Sequence, residues 1–589
     1  MNHSGLTSIT IENFKGIGAP VTVPLRPITL LFGANSAGKS TIIQALQYAW
    51  EVLENRNPDV DRTRLGGEVI DLGGFRNLVH QHDLDREIKI TLEYQGKLMN
   101  EPYLLPEIFY SEIKQELCAW GDVPDINEWV DIDRFSVQII TAWDALQSRA
   151  VIRSYAVGLN GTLFAQSQTL SDGTSALSVK PEHPVFNQEA DDARDEYAIA
   201  VMDSTAEMFS NPMNFLLAYA RQSDENKCRL IEALKDTEEN RQKGNDNMAG
   251  DFGDGVPSEA QTYPIQVGST IPEWGRMLTP SLITEDTDGN PGQTHFNEEV
   301  ISLISQVVVG AGETIVKDLR GLRYLGPLRK VPNRLHAVPL HSESARWANG
   351  LGAWDALLRS TPVEEDGPSL VERCSDYLHD TLGLQYTLRR EDRIHLPANS
   401  ELFARLQLMA TRFEETEGDE LRRLVSEIEA LNRTPVVQLH DEKNDVDVDS
   451  MDIGVGVSQT LPVVVGAVEP NCTIFAVEQP ELHIHPAVQV NLADIFLREV
   501  LEEGKKPRLF LLETHSEHLV LRIMRRMRET AEGALPEAFP QVKPEDVAIL
   551  YVEPSDTGTQ IIEIPVTEDG EFDRPWPRGF FPERARELM

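Results

Sequence analysis

Apolar residues alternate with polar ones from the start of the chain at Ile9, Ile11 and Phe14, then Val21 and Val23, before an unbroken apolar run from Ile28 to Phe32. Alternation predicts strands with one buried face, and the unbroken run predicts a strand buried on both. A glycine-rich segment and a helix-like stretch from Lys39 to Leu53 follow, which is the strand, loop, helix order of a phosphate-binding unit. Beyond Asp71-Leu72-Gly73-Gly74, strand patterns recur at Glu87 to Tyr94, Ser136 to Ala142, Val151 to Leu159 and Thr162 to Ser167, and predict an antiparallel sheet beside this unit. From about Ser171 to Glu299 the composition shifts to Asp, Glu, Asn, Gly and Pro; Glu196 to Ala220 reads as helix and Thr237 to Glu259 as a flexible acidic loop. A helix is predicted near Glu298 to Leu319. Residues 365 to 433, with Leu, Phe and Ile recurring among Arg and Glu, predict a short helical arm without the sustained heptads of a long coiled coil. The α/β pattern resumes from Gly454 to Leu519, and strands are predicted at Val547 to Val552 and Ile561 to Ile564 before a Trp/Phe-rich end.

Length and charge narrow the possibilities. A chain of 589 residues exceeds one compact core, so several structural units are expected. Its 95 acidic against 54 basic residues give a formal net charge of -41, a surface that on average repels nucleic acid. Direct DNA binding would need a local basic patch, for which Arg323, Arg329, Lys330 and Arg334 are the candidates, or a partner. The scattered cysteines Cys118, Cys228, Cys374 and Cys472 fit a reducing compartment and no Cys-based zinc site. With neither a basic-then-apolar leader nor an apolar stretch near the ~20 residues that span a bilayer, the sequence predicts a cytoplasmic protein without a membrane partner.

Four segments carry candidate chemistry. Gly33-Ala34-Asn35-Ser36-Ala37-Gly38-Lys39-Ser40 fits GxxxxGK[ST] between a strand and a helix. Its glycines let backbone N–H groups line a nest, Lys39 reaches terminal phosphates, and Ser40, followed by Thr41, is placed for Mg²⁺. Second, Thr473 to Val477 is a buried-strand run ending in Glu478-Gln479-Pro480-Glu481, and Glu478 is the expected Mg²⁺-side carboxylate. Third, Gly454-Val455-Gly456-Val457-Ser458-Gln459 reads as a second anion-binding helix start. Two such elements in one chain make sense if Gly456, Ser458 and Gln459 serve the nucleotide of another subunit. Fourth, Leu509 to Leu512 leads into Glu513-Thr514-His515-Ser516, with His515 as a candidate γ-phosphate sensor. The His483/His485 pair lacks a third metal ligand.

In order, spacing and context the set resembles the ABC ATPase superfamily in its SMC-like and OLD-like branch. Gly33 to Ser40 resembles the Walker A loop, Gly456-Ser458-Gln459 the signature, Ile474 to Gln479 the Walker B strand, Glu481 to Pro486 the D-loop and His515 the switch histidine. The resemblance implies an α/β ABC-ATPase head split into N- and C-terminal lobes, with an antiparallel β-subdomain, an acidic insertion and a short helical arm. The corresponding boundaries are 1–170 for the N-terminal lobe, 171–299 for the insertion, 300–360 for a return to the core, 361–440 for the arm, 441–530 for the C-terminal lobe and 531–589 for an extension. It also implies ATP and Mg²⁺ as cofactors, Asn35 against the γ-phosphate, Gln81 as the metal-side Q-loop residue, and a homodimer or higher even-numbered oligomer sandwiching nucleotide. Where such enzymes carry a catalytic Glu this chain has Gln479; an amide orients water without accepting a proton, so hydrolysis is expected to be slow, with Gln479 or Glu481 positioning the water. The tail from Trp576 to Phe581 is similar to a C-terminal domain of many bacterial ATPases of this branch, which recur as stand-alone AAA-family ATPases in antiviral systems such as Septu and PARIS. That similarity implies a sensor ATPase controlling a separate nuclease or toxin. An SMC-like repair or chromosome-maintenance ATPase and a transport-associated ATPase are the alternatives.

Overall fold

The computed structural model describes residues 4–98, 132–170, 173–180, 183, 265–267, 269–278, 284–285, 291–292, 298–333, 344–360, 368–411, 418–555 and 558–577. The helix expected over 196–220, the acidic loop over 237–259, Arg334 and the last twelve residues lie outside them.

The chain opens with β1 (Gly5–Glu12), β2 (Val21–Pro24) and β3 (Ile28–Gly33), then α1 (Lys39–Asn55). Next come β4 (Ile88–Gln95), β5 (Arg134–Asp144), β6 (Arg149–Leu159), β7 (Thr162–Thr169), β8 (Ser175–Val179), β9 (Ile265–Val267) and a small pair, β10 (Thr284–Glu285) and β11 (Pro291–Gly292). Eight strands form one antiparallel sheet in the order β2-β1-β4-β5-β6-β7-β8-β9. β8 and β9, within the span 171–299, pair into this sheet, and Ser175, Leu177 and Val179 alternate inward as the preceding strands do.

After α2 (Glu298–Arg320) come β12 (Leu322–Leu325), α3 (Leu351–Arg359), α4 (Leu370–Asp376), β13 (Tyr386–Ile394), α5 (Glu401–Thr411), α6 (Gly418–Glu429), β14 (Arg433–Asp441) and β15 (Val446–Val448). The short helical arm expected over 361–440 contains helices α5 and α6, carried on a pair of strands. Residues 386–394 and 433–441 are antiparallel strands in full register, and α5 and α6 form the excursion between them. The run Arg389-Arg390-Glu391-Asp392-Arg393 resembles a solvated helix face in composition, but its charges are spread along an exposed strand, where Arg389 reaches Asp447 across the sheet.

The last third supplies α7 (Val455–Val468), β16 (Ile474–Glu478), α8 (Pro486–Leu501), β17 (Leu509–Glu513), α9 (Glu517–Ala531), β18 (Val547–Ser555) and β19 (Gly558–Glu563). The six-stranded sheet β12-β16-β17-β3-β18-β19 joins both ends of the chain and the middle; it is parallel except at β19. Its strands are short apolar runs because both faces are covered. Leu31, Ala476, Leu511 and Leu550 face the core shared with α1, α2 and the antiparallel sheet. Leu30, Phe475, Phe510 and Ile549 face the core built by α3, α7, α8 and α9. This is an α/β head assembled from N- and C-terminal parts. Among the described residues no helix is long and apolar enough to cross a membrane.

Candidate functional site

In a parallel sheet the loops leaving the carboxyl ends of the strands gather at one edge, where ligands bind. Here that edge collects the ends of β3, β16 and β17. Gly33 ends β3 so close to β18 that a Cβ on it would stand 2.1 Å from the Val552 carbonyl oxygen. Ser36 and Gly38 turn the loop through left-handed conformations, φ 63° and 103°, and α1 begins at Lys39. Lys39 is buried, donating from Nζ to the carbonyls of Gly33 and Ala34 at 3.1 Å each, with Glu513 Oε1 at 3.6 Å. Ser40 Oγ donates to Glu513 Oε2 at 2.7 Å. A cavity of about 230 Å³ opens here, lined by Ser36, Gly38, Lys39, Ser40, Thr41, Gln44 and Glu513. Ala37 is buried and Asn35 is exposed at the loop's crest.

Glu478 pairs in register with Glu513 on the neighbouring strand. Burial pushes the Glu478 carboxyl up to about 7, with the Glu513 charge adding to the effect, and Tyr324 donates its hydroxyl to Glu478 Oε1 at 3.0 Å. Gln479 sits in a left-handed conformation, φ 46°, with its N–H on the Glu513 carbonyl at 2.7 Å. Glu481 has both oxygens engaged: Thr514 Oγ1 donates to one and the His515 N–H to the other, each at 2.7 Å. His515 itself is exposed; crowding by the protein and the nearby Lys39 charge lower its pKa and favour the neutral ring.

The serine-bearing turn lies apart from this cluster. Gly454, Val455 and Gly456 form the open start of α7, with Val455 61% and Met451 56% exposed. Ser458 is one turn inside, buried, its hydroxyl donating to the Val455 carbonyl at 3.0 Å. Gln459 is also buried, its Nε2 donating to the Arg329 carbonyl at 2.8 Å and its Oε1 accepting from the Arg329 N–H at 3.3 Å. The accessible donors at this helix start are thus backbone groups, and the side chains of Ser458 and Gln459 are held within the chain.

Gln81 is not among these residues. It lines a second cavity, about 570 Å³, with Lys15, Asp71, Gly73, Asn77 and His82. Lys15 Nζ donates to Gln44 Oε1 at 2.6 Å, a bond between a wall residue of this cavity and one of the cavity at the phosphate loop. His485 caps α8 through Nδ1, which accepts from the Ala487 N–H at 3.2 Å, and no cluster of metal-ligating residues involving it occurs among the described residues.

Among its described members, the candidate basic patch is broken up by burial and ion pairing. Arg329 is buried, and its guanidinium donates to the carbonyls of Glu478 and Gln479 at 2.9 Å and of Gln459 at 3.3 Å. Desolvation lowers its pKa to about 10. Arg323 pairs with Glu469 at 3.6 Å and Lys330 with Glu68 at 3.8 Å.

Glu513 and Tyr324 were given no role from sequence, and Arg329 was read as part of a basic patch rather than as a brace of the strand ends. Glu513 had a signal, since β17 ends in a carboxylate as β16 does; the other two act across 154 and 149 residues, respectively, and had none. A hydroxyl with one or two carboxylates is a hard-oxygen set that suits Mg²⁺, so the residues present fit that ion.

Residues 5–252 match the AAA ATPase domain family, and residues 542–589 match a family described as a protein of unknown function, DUF3696. No curated protein matches the chain. Solved structures similar to it include an Smc head bound to the C-terminal winged-helix domain of ScpA (TM-score 0.33, 8% identity, covering 95% of this chain and 97% of that one). A Pyrococcus furiosus Smc head with an extended coiled coil, bound to the C-terminal domain of ScpA, gives TM-score 0.32 and 10% identity over 99% of this chain and 98% of that one. The Thermotoga maritima SMC head gives 0.32 and 8% over 95% and 99%. The family match over the phosphate loop, together with the loop's assembled geometry, supports an AAA-type ATPase domain in the N-terminal part of the chain.

Proposed function

We propose that the chain binds ATP with Mg²⁺ and hydrolyses it slowly, in a head-to-tail pair in which the α7 start of one copy meets the phosphate loop of the other. The observation that carries this reading is the exposed start of α7. Gly454, Val455 and Gly456, with the side chains of Val455 and nearby Met451 exposed, begin a helix whose remaining length is buried. Such an end favours an anion, and exposed apolar groups around it favour a protein surface.

Within one copy, Lys39 and the loop amides would grip the phosphates, and Ser40 with the carboxylates at the strand ends would face the ion. When bound, Mg²⁺ offsets phosphate charge as the terminal phosphoryl group leaves. Gln479, fixed by its backbone, is in place to orient water, while Glu481 already has a partner on each oxygen. His515, exposed and neutral, is free to contact the terminal phosphate. Slow turnover suits a clamp that opens and closes, and the use we favour is the sensor ATPase of a prokaryotic anti-phage system controlling a separate nuclease or toxin. A net charge of -41 and the absence of a basic patch at Arg329 speak against this surface acting alone on DNA.

Sedimentation of the purified protein with and without ATP tests the pair: a shift to twice the monomer mass that Lys39→Ala abolishes is expected, and a monomer under both conditions overturns it. The catalytic assignment is tested by turnover. Gln479→Glu is expected to raise the rate at least roughly tenfold, about 1.4 kcal/mol off the barrier, while Glu481→Ala leaves it unchanged; the opposite pattern makes Glu481 the base.

A further inference from the structure

In the order β16-β17-β3, the strand next to the phosphate loop is β17. Glu478 ends β16, one strand farther away, where the Tyr324 hydroxyl holds it from the β12 side. Glu513 ends β17 and touches the loop, with Ser40 Oγ at 2.7 Å from one oxygen and Lys39 Nζ at 3.6 Å from the other; Glu478 also faces Ser40 and Lys39. It is buried, and Lys39 is the cation it faces.

We propose that Glu513, together with Ser40, directly ligates the Mg²⁺ of the bound nucleotide. The assignment rests on the ATPase reading and moves the direct contact from Glu478 to its neighbour. The geometry supports it in two ways. Ligands on adjacent corners of an octahedron with ~2.0–2.1 Å bonds lie about 2.9 Å apart, and the Ser40 and Glu513 oxygens already stand close to that spacing. The charges also require it. A triphosphate that engages Lys39 takes away the cation facing Glu513 and leaves a buried carboxylate beside phosphate oxygens, an arrangement that a divalent ion between them relieves.

A thermodynamic cycle tests the assignment without reference to turnover. The ATP dissociation constant is measured by calorimetry in excess EDTA and in excess Mg²⁺, for the wild type and for Glu513→Gln, whose amide keeps the shape and loses the charge. The wild type is expected to prefer the Mg²⁺ condition strongly. In Glu513→Gln the ratio of the two constants is expected to collapse at least tenfold, through tighter metal-free binding and weaker binding with metal. A carboxylate that merely braces the loop shifts both constants alike, so an unchanged ratio overturns the assignment. Should Glu513→Gln fail to fold, Glu513→Cys carries the test: thiolate ligation would turn the metal preference of ATP binding from Mg²⁺ toward Cd²⁺, and an unaltered preference overturns the assignment. No ATP binding by the wild type in either condition overturns the ATPase reading as well, whereas intact binding with an unchanged ratio removes the Glu513 assignment alone.

Discussion

The lysine end and the α7 end of the head differ in how complete they are within one chain. At the lysine end each charged group has a partner: Lys39 has two carbonyls and Glu513, and Glu481 has Thr514 and the His515 amide. At the α7 end the side chains named by the motif, Ser458 and Gln459, are turned inward, while the helix start stands open to solvent. One end is thus assembled by the fold, and the other presents a helix start whose first N–H groups lack intrahelical partners.

Both ends stand on the same scaffold, and breaking it gives the largest expected effect. Asp494 on α8 accepts bonds from Arg522 and Arg526 on α9, and these two helices start at the 481–486 turn and at Ser516. Burial alone would raise the Asp494 pKa, but the hydrogen bonds from the two arginines outweigh it and the net shift is downward. Asp494→Asn leaves Arg522 without this carboxylate and Arg526 with Glu529 alone, and should cost about 3 kcal/mol of folding free energy in chemical denaturation near neutral pH. The sign with pH follows from the lowered value. The contribution is fully present above the ordinary aspartate pKa and is lost as pH falls through the depressed one, so the gap between wild type and variant must narrow in acid.

Next in size is Lys39→Ala, expected to weaken ATP binding roughly 100-fold or more, about 2.7 kcal/mol, with no change in unfolding temperature beyond a few degrees. Equal ATP affinity in the two proteins would remove the lysine end from the site. The opposite end is probed by Gly456→Glu, which sets a negative charge at the α7 start. ATP affinity at the intact lysine end should stay within about twofold, whereas turnover should fall roughly 30-fold, about 2 kcal/mol, along with ATP-dependent pairing. Normal turnover in this variant would mean that the α7 start never meets a phosphate.

What was legible in the sequence follows the same division. The phosphate loop is contiguous, with its strand before it and its helix after it, so local pattern was enough to find it. The α/β head was legible from runs such as Ile28 to Phe32 and Leu509 to Leu512, because a strand buried on both faces leaves an apolar run. Within the arm the helices were legible but the strands were not, because charged residues are compatible with any solvated surface and Arg389 to Arg393 lie on a strand. Ser458 reads as a phosphate ligand from its neighbours in sequence; within the single chain its hydroxyl donates to the Val455 carbonyl one turn back. Arg329 could not be found at all, since an arginine among basic residues reads as surface until the fold brings backbone carbonyls to it.

Arg329 is also where the two ends touch, and it offers the finest test of their difference. Its guanidinium spans the carbonyls of Glu478 and Gln479 on one side and of Gln459 on the other, so a shift of α7 on meeting a partner has a rigid path to the residue proposed to orient water. Arg329→Lys keeps a cation but cannot reproduce the planar fork. Loss of two neutral-acceptor bonds should cost about 1–2 kcal/mol of stability, visible as a modest drop in unfolding temperature. Turnover should fall about tenfold, 1.4 kcal/mol on the barrier, with ATP affinity unchanged, because Lys39 and Ser40 make no contact with the arginine. The discriminating quantity is the Hill coefficient for ATP in turnover: in a protein whose two sites report to one another through this contact, it should fall toward one in the variant. A variant that turns over slowly yet keeps the wild-type coefficient would leave Arg329 as a brace for Gln479 and place the link between the ends elsewhere in the head.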